Sequence, residues 1–155
     1  PLPPNVLSTS MRVHQKYFSL LKGNKLAPYF GVVSNVNPSQ NKTMMEGYER
    51  VLKARLSDAA FFYETDTKAS LETLVPKLDQ IIFQTKLGSL GQKVKRLQHL
   101  MTSEKGKRAA LLCKADLLTY MVGEFPELQG TMGEIYARLA GEPEDVALAL
   151  KEYYQ

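Results

Sequence analysis

The tightest constraint on this chain is the tetrapeptide Gly123-Glu124-Phe125-Pro126. Pro126 fixes its own φ, has no N–H to donate and pushes Phe125 towards an extended conformation, so a helix entering from Lys107 must end there. Upstream, Leu111, Ala115, Leu118 and Val122 fall at i, i+4, i+7 and i+11, one apolar stripe of an amphipathic helix. Downstream, Met132, Ile135, Tyr136 and Leu139 share a face, while Gly130 and Gly133 leave room for another helix to approach. The pattern predicts a helical hairpin over 107–139. It predicts no activity.

Ahead of this hairpin the period changes twice. Residues 6–35 read as β: a run from Val6 to Val13, another from Tyr17 to Leu21, a turn at Lys22-Gly23-Asn24-Lys25 and a run from Tyr29 to Val33. A polar loop around Pro38 is expected over 35–41. From Met44 the spacing is helical, with Tyr48, Val51, Leu52 and Arg55 on one face, and Asp58 heads a second short helix where a carboxylate can cap. Its Phe61-Phe62-Tyr63 cannot all face one way and is expected to pack on two sides at a domain junction. Ser70 caps a turn ending near Pro76. A long helix is expected from Lys77 to Met101, striped by Leu87, Leu90, Val94, Leu97 and Met101. Gly88 and Gly91 would cost it about 1 kcal/mol each unless they serve close packing or a kink. Residues 103–107 read as a polar loop. After Leu139, Gly141 is a C′ stop, Pro143 an N1 residue, and Glu144 and Asp145 acidify a first turn. The expected fold class is α+β, a short antiparallel β segment followed by an all-helical domain, divided as 1–57 and 58–155.

Charge separates along the chain more than its net of +4 suggests. Residues 77–116 carry nine Lys/Arg against three Asp/Glu, whereas residues 117–155 carry two against seven. A basic block beside an acidic one suits a polyanion on one surface; two solvated helix faces of opposite sign are the other reading. The longest apolar runs are a few residues, so no membrane span is expected. The lone Cys113 suits a reducing compartment. The chain begins without Met and stops inside a helical pattern, and so reads as a piece of something longer.

Little here carries chemistry. His14 and His99 have no His, Cys or paired carboxylate at metal spacing, and no nucleophile elbow surrounds Ser8, Ser10 and His14. Lys86-Leu87-Gly88-Ser89-Leu90-Gly91 lacks the Lys-Ser/Thr of a phosphate loop. Cys113 sits among Ala109, Ala110, Leu111 and Leu112 as packing. Helical metal-dependent phosphohydrolases of the His-Asp type need an adjacent His-Asp pair, and Asp116 has Ala115 before it, so one carboxylate is left where several ligands are needed. No catalytic, cofactor or metal residue is expected. The remaining candidates are cations: Lys86, Lys93 and Arg96, expected along one helix, then Lys105, Lys107 and Arg108, together up to six phosphate contacts. A solubilising face is the alternative.

Several runs resemble one family in collinear order. Gln15-Lys16-Tyr17-Phe18, the stretch from Gly47 to Asp66 (GYERVLKARLSDAAFFYETD), Phe83 to Leu90 (FQTKLGSL), Lys114-Ala115-Asp116-Leu117 and Met121 to Gly133 (MVGEFPELQGTMG) are similar to the β subunit of bacterial glycyl-tRNA synthetase. One departure is a short connection, Met101 to Arg108, where family members carry more residues. The resemblance implies an internal part of β: the end of a mixed α/β domain, then a helical domain like a degenerate His-Asp phosphohydrolase that has lost its metal ligands. It implies a bacterial cytoplasmic ligase of α2β2 assembly, with ATP and glycine bound by the α subunit. The implied partners are that α subunit, tRNA(Gly) and the rest of β. The implied role is non-catalytic, contributing to tRNA binding and assembly; a protein–protein assembly module without direct tRNA contact is the alternative.

Overall fold

The structure, a computed structural model, describes residues 1–35 and 41–154. The loop expected around Pro38 therefore lies outside the described residues, apart from its two ends. The chain is mostly helical with small antiparallel sheets, and it divides into two compact units, Pro1–Tyr63 and Glu64–Gln155.

In the first unit the run expected as a strand over Val6 to Val13 is helical: α1 (Pro4–Thr9) continues into a π-helical turn, Ser10–His14. Pro4 presets φ at the first helical position, and the Pro3 carbonyl accepts from Val6 and Leu7 N–H at 3.0 and 3.3 Å. Burial follows the helix, taking Val6, Ser10 and Met11 inward, rather than alternating. The hairpin itself forms as expected, β1 (Phe18–Lys22) against β2 (Lys25–Gly31), with Lys22 opposite Lys25 and Gly23 at φ +61°. Met11, Tyr17 and Leu52 form the small core, with Tyr17 stacked on Phe30 at 5.1 Å and edge-on to Tyr48 at 5.7 Å. Leu52 comes from α2 (Asn41–Asp66), which runs unbroken, so Asp58 lies inside a helix instead of heading one. Ser57-Asp58 looks like a cap, but no Gly or Pro between Tyr48 and Ala69 interrupts the helix on either side.

The second unit is not all-helical. The single helix expected over Lys77 to Met101 is instead a 3-10 segment (Leu71–Gln80), a hairpin of β3 (Ile82–Gln84) and β4 (Gly88–Ser89), and α3 (Leu90–Leu100). Gly88 takes φ +83°, a turn conformation that breaks a helix. Ser89 then caps α3 reciprocally with Gln92. Gly91 does serve close packing, since a Cβ there would stand 2.1 Å from Asp79 Oδ1. Leu78, Leu90 and Val94 anchor the core beneath the hairpin; a fully buried Leu or Val contributes about 1.5–3 kcal/mol.

The polar loop expected over 103–107 is the start of α4 (Glu104–Leu112), capped by Ser103, whose hydroxyl accepts from Gly106 N–H at 3.0 Å. The stripe from Leu111 to Val122 does not lie on one helix. A 3-10 turn (Ala115–Leu118) follows α4, and α5 (Tyr120–Glu124) starts afresh at Thr119. Thr119 donates to the Asp116 carbonyl at 2.6 Å and accepts from Val122 N–H at 3.3 Å, local bonds that compete with a continuous ladder. The Phe125–Pro126 break falls where expected, leading through a 3-10 turn (Pro126–Leu128) to α6 (Thr131–Leu139). Gly141, at φ +81°, ends that segment before α7 (Glu144–Glu152), with Pro143 at the N-cap rather than N1.

Candidate nucleic-acid interface

The β3–β4 hairpin is held by its own polar groups. Gln84 Oε1 accepts from the N–H groups of Lys86 and Leu87 at 2.6 and 3.0 Å, and Leu90 N–H donates to the Ile81 carbonyl at 2.8 Å. This bracing fixes Phe83 and Leu87 outward, at 40% and 52% exposure. The Lys93 ammonium, from α3, sits 4.0 Å from the centroid of the Phe83 ring.

The six cations expected as one set separate into two. Lys86 lies in the hairpin turn and not on the helix, while Lys93 and Arg96 are one turn apart on α3. Among the described residues neither these three nor Lys77 has an ion-pair partner. No Asp or Glu occurs from Gln80 to Ser103. The other three, all on α4, are neutralised. Lys105 pairs with Asp145 at 2.7 Å and Lys107 with Glu104 at 2.7 Å. Arg108 donates through Nε to both Glu142 oxygens, at 3.2 and 3.0 Å, and through Nη2 to Glu72 at 2.9 Å. These bonds hold the Glu72 carboxyl below its ordinary pKa and raise that of Arg108; Lys105 likewise lowers Asp145. The basic and acidic blocks of the sequence thus partly cancel inside the second unit. Among the described residues of the second unit, Lys86, Lys93 and Arg96 stay uncompensated on the hairpin and α3, as do Lys68 and Lys77 before them.

Lys114 and Asp116 are inside. Asp116 is 1% exposed; its Oδ2 accepts from Gly130 N–H at 2.6 Å, and Oδ1 has no hydrogen-bond partner among the described residues. Burial raises its pKa against the lowering effects of that bond and of Lys114. Lys114 Nζ donates to Tyr154 Oη at 3.0 Å and lies 4.1 Å from the centroids of both Tyr153 and Tyr154; burial lowers its pKa. Burial likewise pushes the Cys113 thiol up to about 11, so it is a packing residue and not a nucleophile. Among the described residues no cluster of three His, Cys, Asp or Glu could hold a metal ion. Beside this cluster, α3, α4 and α7 leave an apolar groove of about 250 Å³ between Leu97, Met101, Ala109, Cys113, Ala149 and Tyr153.

Sequence reasoning placed Phe83 on a long helix and so gave no sign that Lys93 would meet its ring. The available signal was Gln84-Thr85-Lys86-Leu87-Gly88, a turn ending in glycine.

The family described as glycyl-tRNA synthetase beta subunit matches residues 1–155. The chain is 50% identical to the glycine–tRNA ligase beta subunit of Trichodesmium erythraeum, 46% to that of Halalkalibacterium halodurans and 47% to that of Neisseria meningitidis serogroup C. Each comparison covers 99% of this chain and 24% of the relative, so the chain spans about a quarter of their length. The aligned stretches run to 171, 166 and 164 residues against the 155 here, so each relative carries extra residues within the match.

Proposed function

Because the chain belongs to the glycyl-tRNA synthetase beta subunit family, we propose that its second unit serves a glycine–tRNA ligase by touching tRNA and not by catalysis. The observation that carries this reading is the uncompensated positive charge of Lys86, Lys93 and Arg96 on the hairpin and α3, in a stretch without carboxylates. Such cations replace the counterions condensed on RNA phosphates, which gives affinity and orientation with little base specificity.

In this reading ATP and glycine are handled by an α subunit, and the reaction runs in the cytoplasm of a bacterium. Asp116 supports the non-catalytic half of the proposal. Its carboxylate is buried on the Gly130 N–H and lies beside Lys114, a structural use of the residue that a His-Asp phosphohydrolase would give to metal. We read the helical unit as related to those hydrolases in architecture only. A second reading, assembly with the α subunit or the rest of β, is favoured by the apolar groove between α3, α4 and α7.

The test uses full-length β with its α subunit. Replacing Lys86, Lys93 and Arg96 by Ala should weaken tRNA binding and lower the slope of log K against log salt by about 2–3. An unchanged slope with unchanged aminoacylation would remove the assignment.

A further inference from the structure

The charge accounts for Lys86, Lys93 and Arg96 but leaves Phe83 and Leu87 unexplained. These apolar side chains are exposed on a hairpin, Phe83 on β3 and Leu87 in the turn, that is braced by Gln84 and by the Ser89–Gln92 cap, so their exposure is built in. A-form duplex has little use for them. Its major groove is too deep and narrow for side chains, and its backbone and 2′-hydroxyls call for polar groups. Unpaired nucleotides do have a use, because every base offers a π-face that stacks on an aromatic ring while neighbouring cations hold the phosphates. Lys93 covers one face of the Phe83 ring at 4.0 Å, so a base stacked on the other face has a cation across the ring from it.

We propose that Phe83, with Lys93 on its ring and with Leu87, Lys86 and Arg96 on the same hairpin and following helix, is a stacking platform for unpaired nucleotides of the bound RNA. The proposal rests on the tRNA-contact reading above and adds the conformation of the RNA that meets this surface. Charge complementarity selects the occupant, since Lys93 lies on the Phe83 ring, the run from Gln80 to Ser103 holds no Asp or Glu, and the neighbouring Asp79 carboxylate is already paired with Lys95 at 3.4 Å.

The experiment again uses full-length β with α. Phe83→Ala should lower tRNA affinity about tenfold, the scale of one lost base stack, and leave the salt slope unchanged. Phe83→Tyr should restore binding. The charge variants should weaken binding and also lower the slope. A photoreactive phenylalanine analogue at position 83 should cross-link to nucleotides outside base-paired stems. Cross-linking to a stem or to protein would overturn the platform, as would full affinity in Phe83→Ala. If the charge variants still lower the slope in that case, the tRNA-contact reading survives; if they too have no effect, both fall. Subunit assembly and circular dichroism of each variant, which should match the parent, separate loss of a contact from loss of folding.

Discussion

The Asp116 carboxylate accepts the Gly130 N–H at 2.6 Å, fourteen residues away, and this bond fixes the start of α6. Gly130 takes φ +77° at that N-cap, so the helix begins on a residue with no side chain to cap it. Asp116 instead satisfies the N–H of that N-cap residue from a distance. Asp116→Ala strands a buried N–H and is expected to cost about 1–3 kcal/mol of stability.

Asp116 also gives a pH dependence of known sign. Burial raises its native pKa, so the folded state holds the proton more tightly than the unfolded chain does. The stability from this group is complete below the unfolded value, about 3.9, and is lost as pH rises through the higher native one. Asn keeps an acceptor for Gly130 and cannot titrate. Unfolding of Asp116→Asn against the parent between pH 3.5 and 7 should therefore move in favour of Asn as pH rises. Parallel profiles would mean that Lys114 compensates the charge fully. Glu72 and Asp145, whose pKa values are lowered, have the opposite sign in both proteins and cancel in the comparison.

Gly133 is under the same carboxylate. A Cβ there would lie 3.3 Å from Asp116 Oδ2 and 3.5 Å from Leu150 Cβ, so Gly133→Ala presses α6 against both the 3-10 turn and α7. A cost of about 1–3 kcal/mol is expected from overpacking. Gly123, an exposed position on α5, meets nothing within 4 Å. Gly123→Ala should be neutral or stabilising by up to about 1 kcal/mol. Melting of the two variants side by side checks the contrast, and equal effects would refute it.

Asp66 links the end of α2 to two later helices within the second unit. Its carboxylate accepts from Tyr120 and Met121 N–H at 2.9 Å each and from the Tyr136 hydroxyl at 2.9 Å. Asp66→Ala removes the cap of α5 and a partner for buried Tyr136, so a loss of about 2 kcal/mol is expected. Tyr136→Phe should lose about 1 kcal/mol. A double-mutant cycle should show coupling between them, and additivity would deny it.

What the sequence disclosed followed local signals strong enough to win. Gly23 in its hairpin, Pro126 at its break and Gly141 past α6 each impose one backbone state, and each was legible. Errors arose where one pattern admitted two structures. Leu87, Leu90 and Val94 keep helical spacing, yet Leu87 belongs to a turn because Gly88 takes positive φ. Leu111 to Val122 repeats like a helix, but Thr119 and Asp66 supply side-chain bonds that restart it, and Asp66 is distant in sequence. For the site, cations were easy to list, but their partners were not. Lys105 meets Asp145, and Arg108 meets Glu142 and Glu72, only after α4, α7 and the 3-10 segment have packed.

That pairing makes the α4 cations a control for the interface. Arg108 is partly buried between Glu142 and Glu72, so Arg108→Ala leaves two carboxylates repelling one another with no donor. A loss of about 1–2 kcal/mol is expected, discounted for the exposure of Glu72. Lys105→Ala breaks an exposed pair and should cost under about 1 kcal/mol. Neither change should alter the salt slope of tRNA binding by the assembled ligase, because both charges are already spent on carboxylates. Lys86→Ala should behave in the opposite way, leaving melting unchanged and lowering the slope by about 1. Should Arg108→Ala lower the slope as much as Lys86→Ala does, RNA would be competing with Glu142 for the guanidinium, and the interface would extend from the hairpin onto α4.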